Sequence, residues 1–344
     1  MIDLDTGVPA ELTAWLRSAL PAAEPPFTCR RISGGYSMLT YHLDDATGHH
    51  WVLRHPPAGH HAGRAHDTDR EARVMTALAG TAVPVPAVVA VGAATDPLGA
   101  PCHITEFVAG QVVSDEDAAR RLGPDALRTA TTDIVTALAT LHSIDPDAAG
   151  LGDFGPRTGY LERQLHRWRA VIDAAAGGDT ADLAAALAGL ADLIERNIRP
   201  DSAVRVVHGD YRLGNAIVGD DGRVRAVLDW ELASLGDPLA DLAGLVAFWN
   251  PPAAAMLGDR MPTLAPGAIG TDEVVRRYGA ETGADLGNLW VYHTFAAWRL
   301  ACTALRAHAR YASGAMKDNS DLTRFTTACA AWIEAANTSA KDQS

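Results

Sequence analysis

The sequence predicts an α+β fold in which a small antiparallel β lobe precedes a larger, mainly helical lobe. Two observations carry this. Alternation of polar and apolar residues around glycine turns is concentrated in the first 110 or so positions, with one helical stretch among them. From there the apolar residues recur at helical spacing almost to the end, interrupted once, at residues 204–230, by a short β segment.

In order along the chain, residues 30–33 and 38–43 alternate about Gly34-Gly35 as a hairpin would, and residues 51–54 continue it as a third strand. A loop rich in His, Pro and Gly follows. Residues 67–78 then bring Ala72, Val74, Met75 and Leu78 to helical spacing, with Asp67 or Thr68 as the cap. Val83-Pro84-Val85-Pro86 is extended, because a residue before proline avoids the helical region. Residues 88–92 and 102–107 read as two more strands across a turn at Asp96-Pro97-Leu98-Gly99. Helices are expected at 115–142, 160–176, 182–196, 238–249, 272–282, 288–312 and 321–337. The resulting division is a helical extension at 1–26, a β-rich lobe at 27–108 and a helical lobe at 109–344.

The 344 residues are enough for two lobes sharing a cleft. A net charge of −13 argues against a nucleic-acid partner, which needs a basic face to neutralise phosphates, and lends nothing to a membrane-surface role. A local basic pocket for an anionic ligand stays compatible with it. Cys29, Cys102, Cys302 and Cys329 have neither metal-ligand spacing nor a CxxC pair, so they read as free thiols in the reducing cytoplasm. Residues 1–20 are acidic and amphipathic, without the basic start and apolar core of a signal peptide. No apolar run reaches membrane-spanning length, and the alanine-rich stretch 181–194 is broken by Asp182 and Asp192.

The chemistry concentrates at His208-Gly209-Asp210-Tyr211-Arg212-Leu213-Gly214-Asn215, followed by Ala216-Ile217-Val218, the turn Gly219-Asp220-Asp221-Gly222, and a return run ending at Asp229. Two apolar runs about a Gly/Asp turn make a hairpin, so Asn215 and Asp229 are expected side by side at its open end with Asp210 on the loop feeding it. Phosphoryl transfer needs that convergence. Mg²⁺ takes hard oxygen ligands, here Asn215 and Asp229, and keeps sites for phosphates. A separate carboxylate, here Asp210, orients the attacking hydroxyl and accepts its proton. An Asp at the foot of a hairpin also occurs as a plain turn cap, which is the simpler reading of Asp229 taken alone.

This pattern, His208-Gly209-Asp210 with Asn215 and Asp229, resembles the signature of the aminoglycoside phosphotransferase family and its choline-kinase-like relatives. Residues 209–215, 227–232 and Leu235-Gly236-Asp237-Pro238-Leu239-Ala240-Asp241-Leu242-Ala243 most resemble the kinase-like domains associated with acyl-CoA dehydrogenases. The resemblance runs from Ile32 through residue 312. It implies a protein-kinase-like bilobal fold, ATP and Mg²⁺ as cofactors, and a small-molecule hydroxyl as acceptor.

By the same resemblance the 27–108 lobe binds nucleotide. Ser33, Gly34, Gly35 and Ser37 stand where the family's glycine loop belongs, Glu106 and Val108 where its adenine-binding connector does. Arg54 takes the place of the usual phosphate-binding lysine, keeping the charge but replacing a point ammonium by a planar fork. Glu71 matches the helix glutamate that pairs with that cation. Surface roles remain open for both: a strand arginine and a solvated carboxylate. The resemblance to the dehydrogenase-associated group implies a hydroxyacyl-CoA or hydroxy acid as acceptor. Arg163 and Arg167, at i and i+4 on one helix face, would suit such an anion, though a solvated basic stripe is the simpler reading. Arg212, Glu231 and Arg299 complete the substrate set. The wider family implies an aminoglycoside instead, and a nucleotide-binding pseudokinase is the alternative from another class, supported only by Arg54. A protein kinase is disfavoured because a helix is expected near Pro238, soon after Asp229.

Other signals are given structural readings. Asp153-Phe154-Gly155 spells a kinase metal motif but precedes the 208–215 loop, and reads as a turn. His49, His50, His55, His60, His61 and His66 lie across a hairpin and a Pro/Gly loop, and read as solvated rather than metal-binding. His208 is expected to brace its loop, His142 to be a core or cap histidine. Asp241 either holds the loop or complements a helix terminus.

Overall fold

A computed structural model describes residues 4, 7–32, 38–57, 67–201, 203–250, 252–257, 261–313 and 322–341. The chain divides into two compact units, residues 1–111 with 224–233, and residues 112–223 with 234–344.

The first unit is built on a five-stranded antiparallel sheet in the order β1-β2-β3-β5-β4. Its strands are β1 (Thr28–Arg31), β2 (Leu39–Asp44), β3 (His50–His55), β4 (Val88–Gly92) and β5 (Cys102–Glu106). Helix α1 (Ala10–Ala19) precedes them and α2 (Thr68–Leu78) lies between β3 and β4. The β2–β3 register pairs Tyr41 with Leu53 and Leu43 with Trp51. Those four point to one face, and bury there with Ile104 against Leu12, Leu16 and Leu20 of the α1 segment. The intervening residues go to the other face: Thr40 opposite Arg54, His42 opposite Val52, Asp44 opposite His50. Strand alternation thus separates an apolar core face from a face rich in ionisable groups.

His55 corrects the reading of the histidine run. It is the residue after Arg54, so alternation carries it to the core face, where it is fully buried and stacked on Tyr41 with ring centroids 5.7 Å apart. Its Nδ1 lies 2.9 Å from the Pro56 carbonyl, and burial lowers its pKa. His60, His61 and His66 lie outside the described residues, as do Ser33, Gly34, Gly35 and Ser37.

The chain leaves the first unit at the two-residue strand β6 (Gln111–Val112) and becomes helical. The single helix expected at 115–142 is two, α3 (Glu116–Leu122) and α4 (Pro124–Ser143). Gly123 between them has φ +87° and Pro124 supplies no N–H, so the helical ladder stops and restarts there. Next come α5 (Tyr160–Ala174) and α6 (Ala181–Asn197), then strands β7 (Arg205–Val207), β8 (Ala216–Val218), β9 (Val224–Val227) and β10 (Ser234–Gly236). Strand β10, which has no alternation of its own to announce it, pairs antiparallel with β7. The chain ends in α7 (Leu239–Ala247), α8 (Pro252–Leu257), α9 (Thr271–Thr282), α10 (Leu289–Ala312) and α11 (Thr323–Lys341). Every residue of α7 is buried, and α10 packs on α11, α7, α6 and α5. The Asp153-Phe154-Gly155 triplet is a turn, with Phe154 buried. Among the described residues, no helix is long and apolar enough to cross a membrane.

The turn after β8 is closed by the Gly219 N–H on the Arg223 carbonyl (2.9 Å) and the Gly222 N–H on the Gly219 carbonyl (2.9 Å). Gly222 has φ +79°, and a Cβ there would meet the Ala126 carbonyl oxygen at 2.2 Å. Both the backbone conformation and the space exclude a side chain. Gly222→Ala is expected to cost about 2 kcal/mol or more of stability in denaturant titration.

Candidate active site

In the second unit the 208–215 loop leaves β7 and enters a 3-10 turn at Leu213–Asn215. Asp210 Oδ2 accepts a hydrogen bond from Asn215 Nδ2 at 2.8 Å, and the same amide donates to the Asp210 carbonyl at 2.8 Å. Asn215 therefore spends its amide nitrogen on holding Asp210, and its side-chain oxygen takes no part in that bond. The Asp210 N–H donates to His208 Nδ1 at 3.2 Å, so His208 acts as a brace and Nδ1 is an acceptor. Tyr211 turns inward, its hydroxyl donating to the Ile134 carbonyl at 2.9 Å.

Two groups from the helices clamp this loop. Asp241, in the first turn of α7, accepts the His208 N–H at 2.5 Å and the Gly209 N–H at 2.9 Å. Burial alone would raise the Asp241 pKa. His142, whose Nε2 lies 3.5 Å away, with His208 and the loop N–H groups, outweighs it and holds the carboxyl below its ordinary value. Arg299 on α10 donates to the Gly209 carbonyl at 2.6 Å. Both faces of the Gly209 peptide region are thus fixed by ionised side chains, a preorganisation that Asp210 inherits. Asp241→Ala leaves two buried N–H groups without acceptors, and is expected to cost about 3 kcal/mol in chemical denaturation.

In the first unit Arg54 is the centre of a carboxylate cluster. Its Nη1 lies 3.2 Å from Glu71 Oε1, its Nη2 donates to Asp229 Oδ1 at 2.5 Å, and Glu231 Oε2 is 3.9 Å away. Burial disfavours charge on Arg54, but Glu71, Asp229 and Glu231 together outweigh it and raise its pKa. Glu71, almost fully buried on α2, is pushed up by burial more than Arg54 pulls it down, and it also accepts the Trp230 N–H at 3.2 Å. Three carboxylates around one guanidinium leave a formal excess of two negative charges when all are ionised, a setting that favours a divalent cation. Asp229 has φ 67°, the left-handed region, where a residue with a side chain costs roughly 1–2 kcal/mol. Arg54→Ala strands Glu71 in the interior, with an expected loss of about 3–5 kcal/mol by denaturation. Arg54→Lys should recover part of that by restoring the charge.

Glu106 ends β5 with its N–H on the Ala87 carbonyl (2.9 Å), and the next residue, Phe107, donates to the His50 carbonyl at 3.3 Å. Val108 is half-buried and makes no hydrogen bond among the described residues.

Most of the residues read as a substrate set make contacts within the protein. Arg163 donates to the carbonyls of Pro156 (3.1 Å) and Leu235 (3.2 Å), pinning α5 to the segment of β10. Arg299 holds the loop as above, and Arg212 sits 3.5 Å from Asp210 Oδ2 and over the Phe248 ring at 5.4 Å. Glu231 belongs to the Arg54 cluster. Arg167 is exposed on α5. Arg163 also lies over the buried Tyr160 ring, 6.0 Å from its centroid, and burial pushes the Tyr160 hydroxyl pKa up to about 12. Asp241 and Arg299 as loop clamps were not settled by spacing. An Asp in a helix's first turn serves its dipole equally well, and nothing local links Arg299 to a loop 90 residues away.

Residues 28–266 match the model of the phosphotransferase enzyme family, APH. Acyl-CoA dehydrogenase family member 11 of Gallus gallus is 36% identical over 222 residues, 64% of this chain and 28% of that protein. The Rattus norvegicus protein of the same name is 30% identical over 328 residues, 92% of this chain and 41% of that one. The chain therefore spans between about a quarter and two fifths of these relatives. A Ralstonia eutropha protein crystallised as a candidate aminoglycoside phosphotransferase superposes with a TM-score of 0.79 at 29% identity, over 96% of this chain and 97% of the other.

Proposed function

Since the chain belongs to the phosphotransferase enzyme family, we propose that it is an ATP-dependent small-molecule kinase of the cytoplasm. It would transfer phosphate to a hydroxyl of an anionic acceptor, a hydroxyacyl-CoA or related hydroxy acid. The observation that carries phosphoryl transfer is the preorganised Asp210 carboxylate, oriented by Asn215 and set on a doubly clamped loop. A carboxylate so held accepts a hydroxyl proton without first having to be ordered.

The assignment of Asp229 and Asn215 as Mg²⁺ ligands rests on the sequence pattern. The donor types fit. Asp229 sits in a cluster with surplus negative charge, and Asn215 commits only its amide nitrogen to Asp210. Bound there, Mg²⁺ would supply positive charge to the phosphate oxygens. Arg54 is proposed to serve the nucleotide phosphates in place of lysine, and the connector at Glu106 and Val108 to meet the adenine edge.

The anionic acceptor is favoured by relatives named as acyl-CoA dehydrogenase family members. An aminoglycoside acceptor is the second reading, favoured by the name of the Ralstonia neighbour. The test is phosphate transfer from Mg·ATP across a panel of hydroxyacyl-CoA esters, free hydroxy acids and aminoglycosides. Turnover of the CoA esters or hydroxy acids alone is expected. Preference for the aminoglycosides would replace the acceptor assignment. Nucleotide binding without transfer to any of them would point to the pseudokinase reading.

A further inference from the structure

The ionisable face of the first unit's sheet carries a second cluster, separate from Arg54 and its carboxylates. His42 and Asp44 are two apart on β2, so they point the same way, and Asp44 is the direct cross-strand partner of His50 on β3. All three side chains therefore stand on one face of a rigid hairpin. One ligand atom from each lies within 4.8 Å of the others. His50 Nδ1 is 2.6 Å from Asp44 Oδ1, and His42 Nδ1 is 3.0 Å from the same oxygen. Two imidazoles thus converge on a single carboxylate oxygen.

Simple hydrogen bonding accounts for only half of this. His50 is bonded to Asp44, but the buried Nδ1 of His42 makes no hydrogen bond despite its 3.0 Å separation from Oδ1. A buried ring nitrogen left without a partner costs roughly 1–3 kcal/mol, and a cation between the three groups would remove that cost. The fit is sound in other respects. Tetrahedral zinc, with bonds of about 2.0–2.2 Å, places its donors roughly 3.3 Å apart, inside the range these atoms span. His42 is 12% exposed and His50 51%, so one side of the cluster is walled and the other opens to solvent for entry. The edge of the Phe107 ring packs on His42 with centroids 4.8 Å apart, restricting that imidazole. Imidazole and carboxylate together suit Zn²⁺ and its first-row neighbours rather than Mg²⁺.

We propose that His42, Asp44 and His50 form a binding site for a divalent transition metal, with Zn²⁺ as its natural fit. The site is distinct from the Mg²⁺ assignment at Asp229 and does not depend on the chain's being a kinase. A bound ion would tie β2 to β3 beneath Phe107. On a hairpin a metal-ligand pattern is i, i+2 on one strand plus a cross-strand partner, and this joins His42 and Asp44 to His50 of the histidine run.

The test is calorimetric titration of ZnCl₂ into the tag-free full-length chain, stripped of metal beforehand and held in excess Mg²⁺ to occupy hard-oxygen sites. Saturable uptake of one zinc per chain is expected, with visible ligand-field bands on Co²⁺ substitution. His50→Ala and Asp44→Asn should each weaken zinc at least about tenfold and abolish the bands. His49→Ala should leave both unchanged, because His49 turns to Thr47 and Asp45. Circular dichroism of the half-exposed His50→Ala variant confirms folding. Absence of saturable uptake, or equal zinc affinity in wild type and folded His50→Ala, would overturn the site.

Discussion

Asp210→Asn is expected to lower turnover by roughly two to four orders of magnitude, the scale of general-base assistance, with nucleotide affinity near the wild-type value. The substitution keeps size and can still accept the bond from Asn215, so the 208–215 loop should hold its shape. What disappears is the negative charge and the capacity to take a proton. The clamps from Asp241 and Arg299 act on the peptide before Asp210, at His208 and Gly209, and do not touch the substituted side chain. A fall in kcat without a change in the KM for ATP therefore separates chemistry from folding and from binding. Wild-type kcat in Asp210→Asn, with an acceptor shown to be phosphorylated, would end the assignment of Asp210 as base.

Much of the fold is legible in the sequence because its elements obey one local rule each. Strands β2 and β3 alternate cleanly, so their core and polar faces can be read before any partner is known. Helix α2 carries its own cap, Asp67 accepting the Arg70 N–H at 3.0 Å. Elements set by partners are harder to read. Strand β10 is three residues long and exists because β7 is there to pair with it. The α3–α4 break depends on two adjacent residues, Gly123 and Pro124, inside a pattern that is otherwise helical throughout. His55 is the opposite case: it belongs to a run that composition marks as solvated, yet strand alternation buries it.

The same contrast runs through the candidate site. Asp210, Asn215 and Asp229 share a tight sequence pattern, because the chemistry needs oxygen ligands of fixed type near a loop and a turn. The arginines had no such constraint. A basic residue at helical spacing reads equally well as a ligand contact, a solvated stripe or a structural donor. Arg163 is bound to two carbonyls and Arg299 to one, and two of these three partners, Leu235 and Gly209, lie 72 and 90 residues away in the chain. Their number and sign were legible, but the atoms they serve were not.

Asp229→Ala is expected to weaken Mg·ATP binding and to lower turnover by about 10²–10³-fold. The reasoning is electrostatic. Arg54 alone faces Glu71, Asp229 and Glu231, so the cluster carries more negative than positive charge before any cation arrives. Asp229 is its most exposed acid, at 31% of the side chain, against 16% for Glu231 and 3% for Glu71, and so the one best placed to reach a hydrated ion. Its left-handed backbone, tolerated by Asp and Asn better than by most residues, indicates that position is being kept at a conformational cost. Asp229→Asn is the sharper variant, because it keeps the backbone preference and removes only the charge. Without metal, neither variant should lose much stability beyond the roughly 1 kcal/mol that alanine pays for φ 67°, since excess negative charge has been relieved. With Mg·ATP, the wild-type melting temperature should rise as ligand binding adds to folded-state stability, and in Asp229→Asn that rise should be largely gone. An undiminished Mg·ATP shift in Asp229→Asn would remove Asp229 from the metal's ligands and leave the carboxylate cluster a purely structural partner of Arg54.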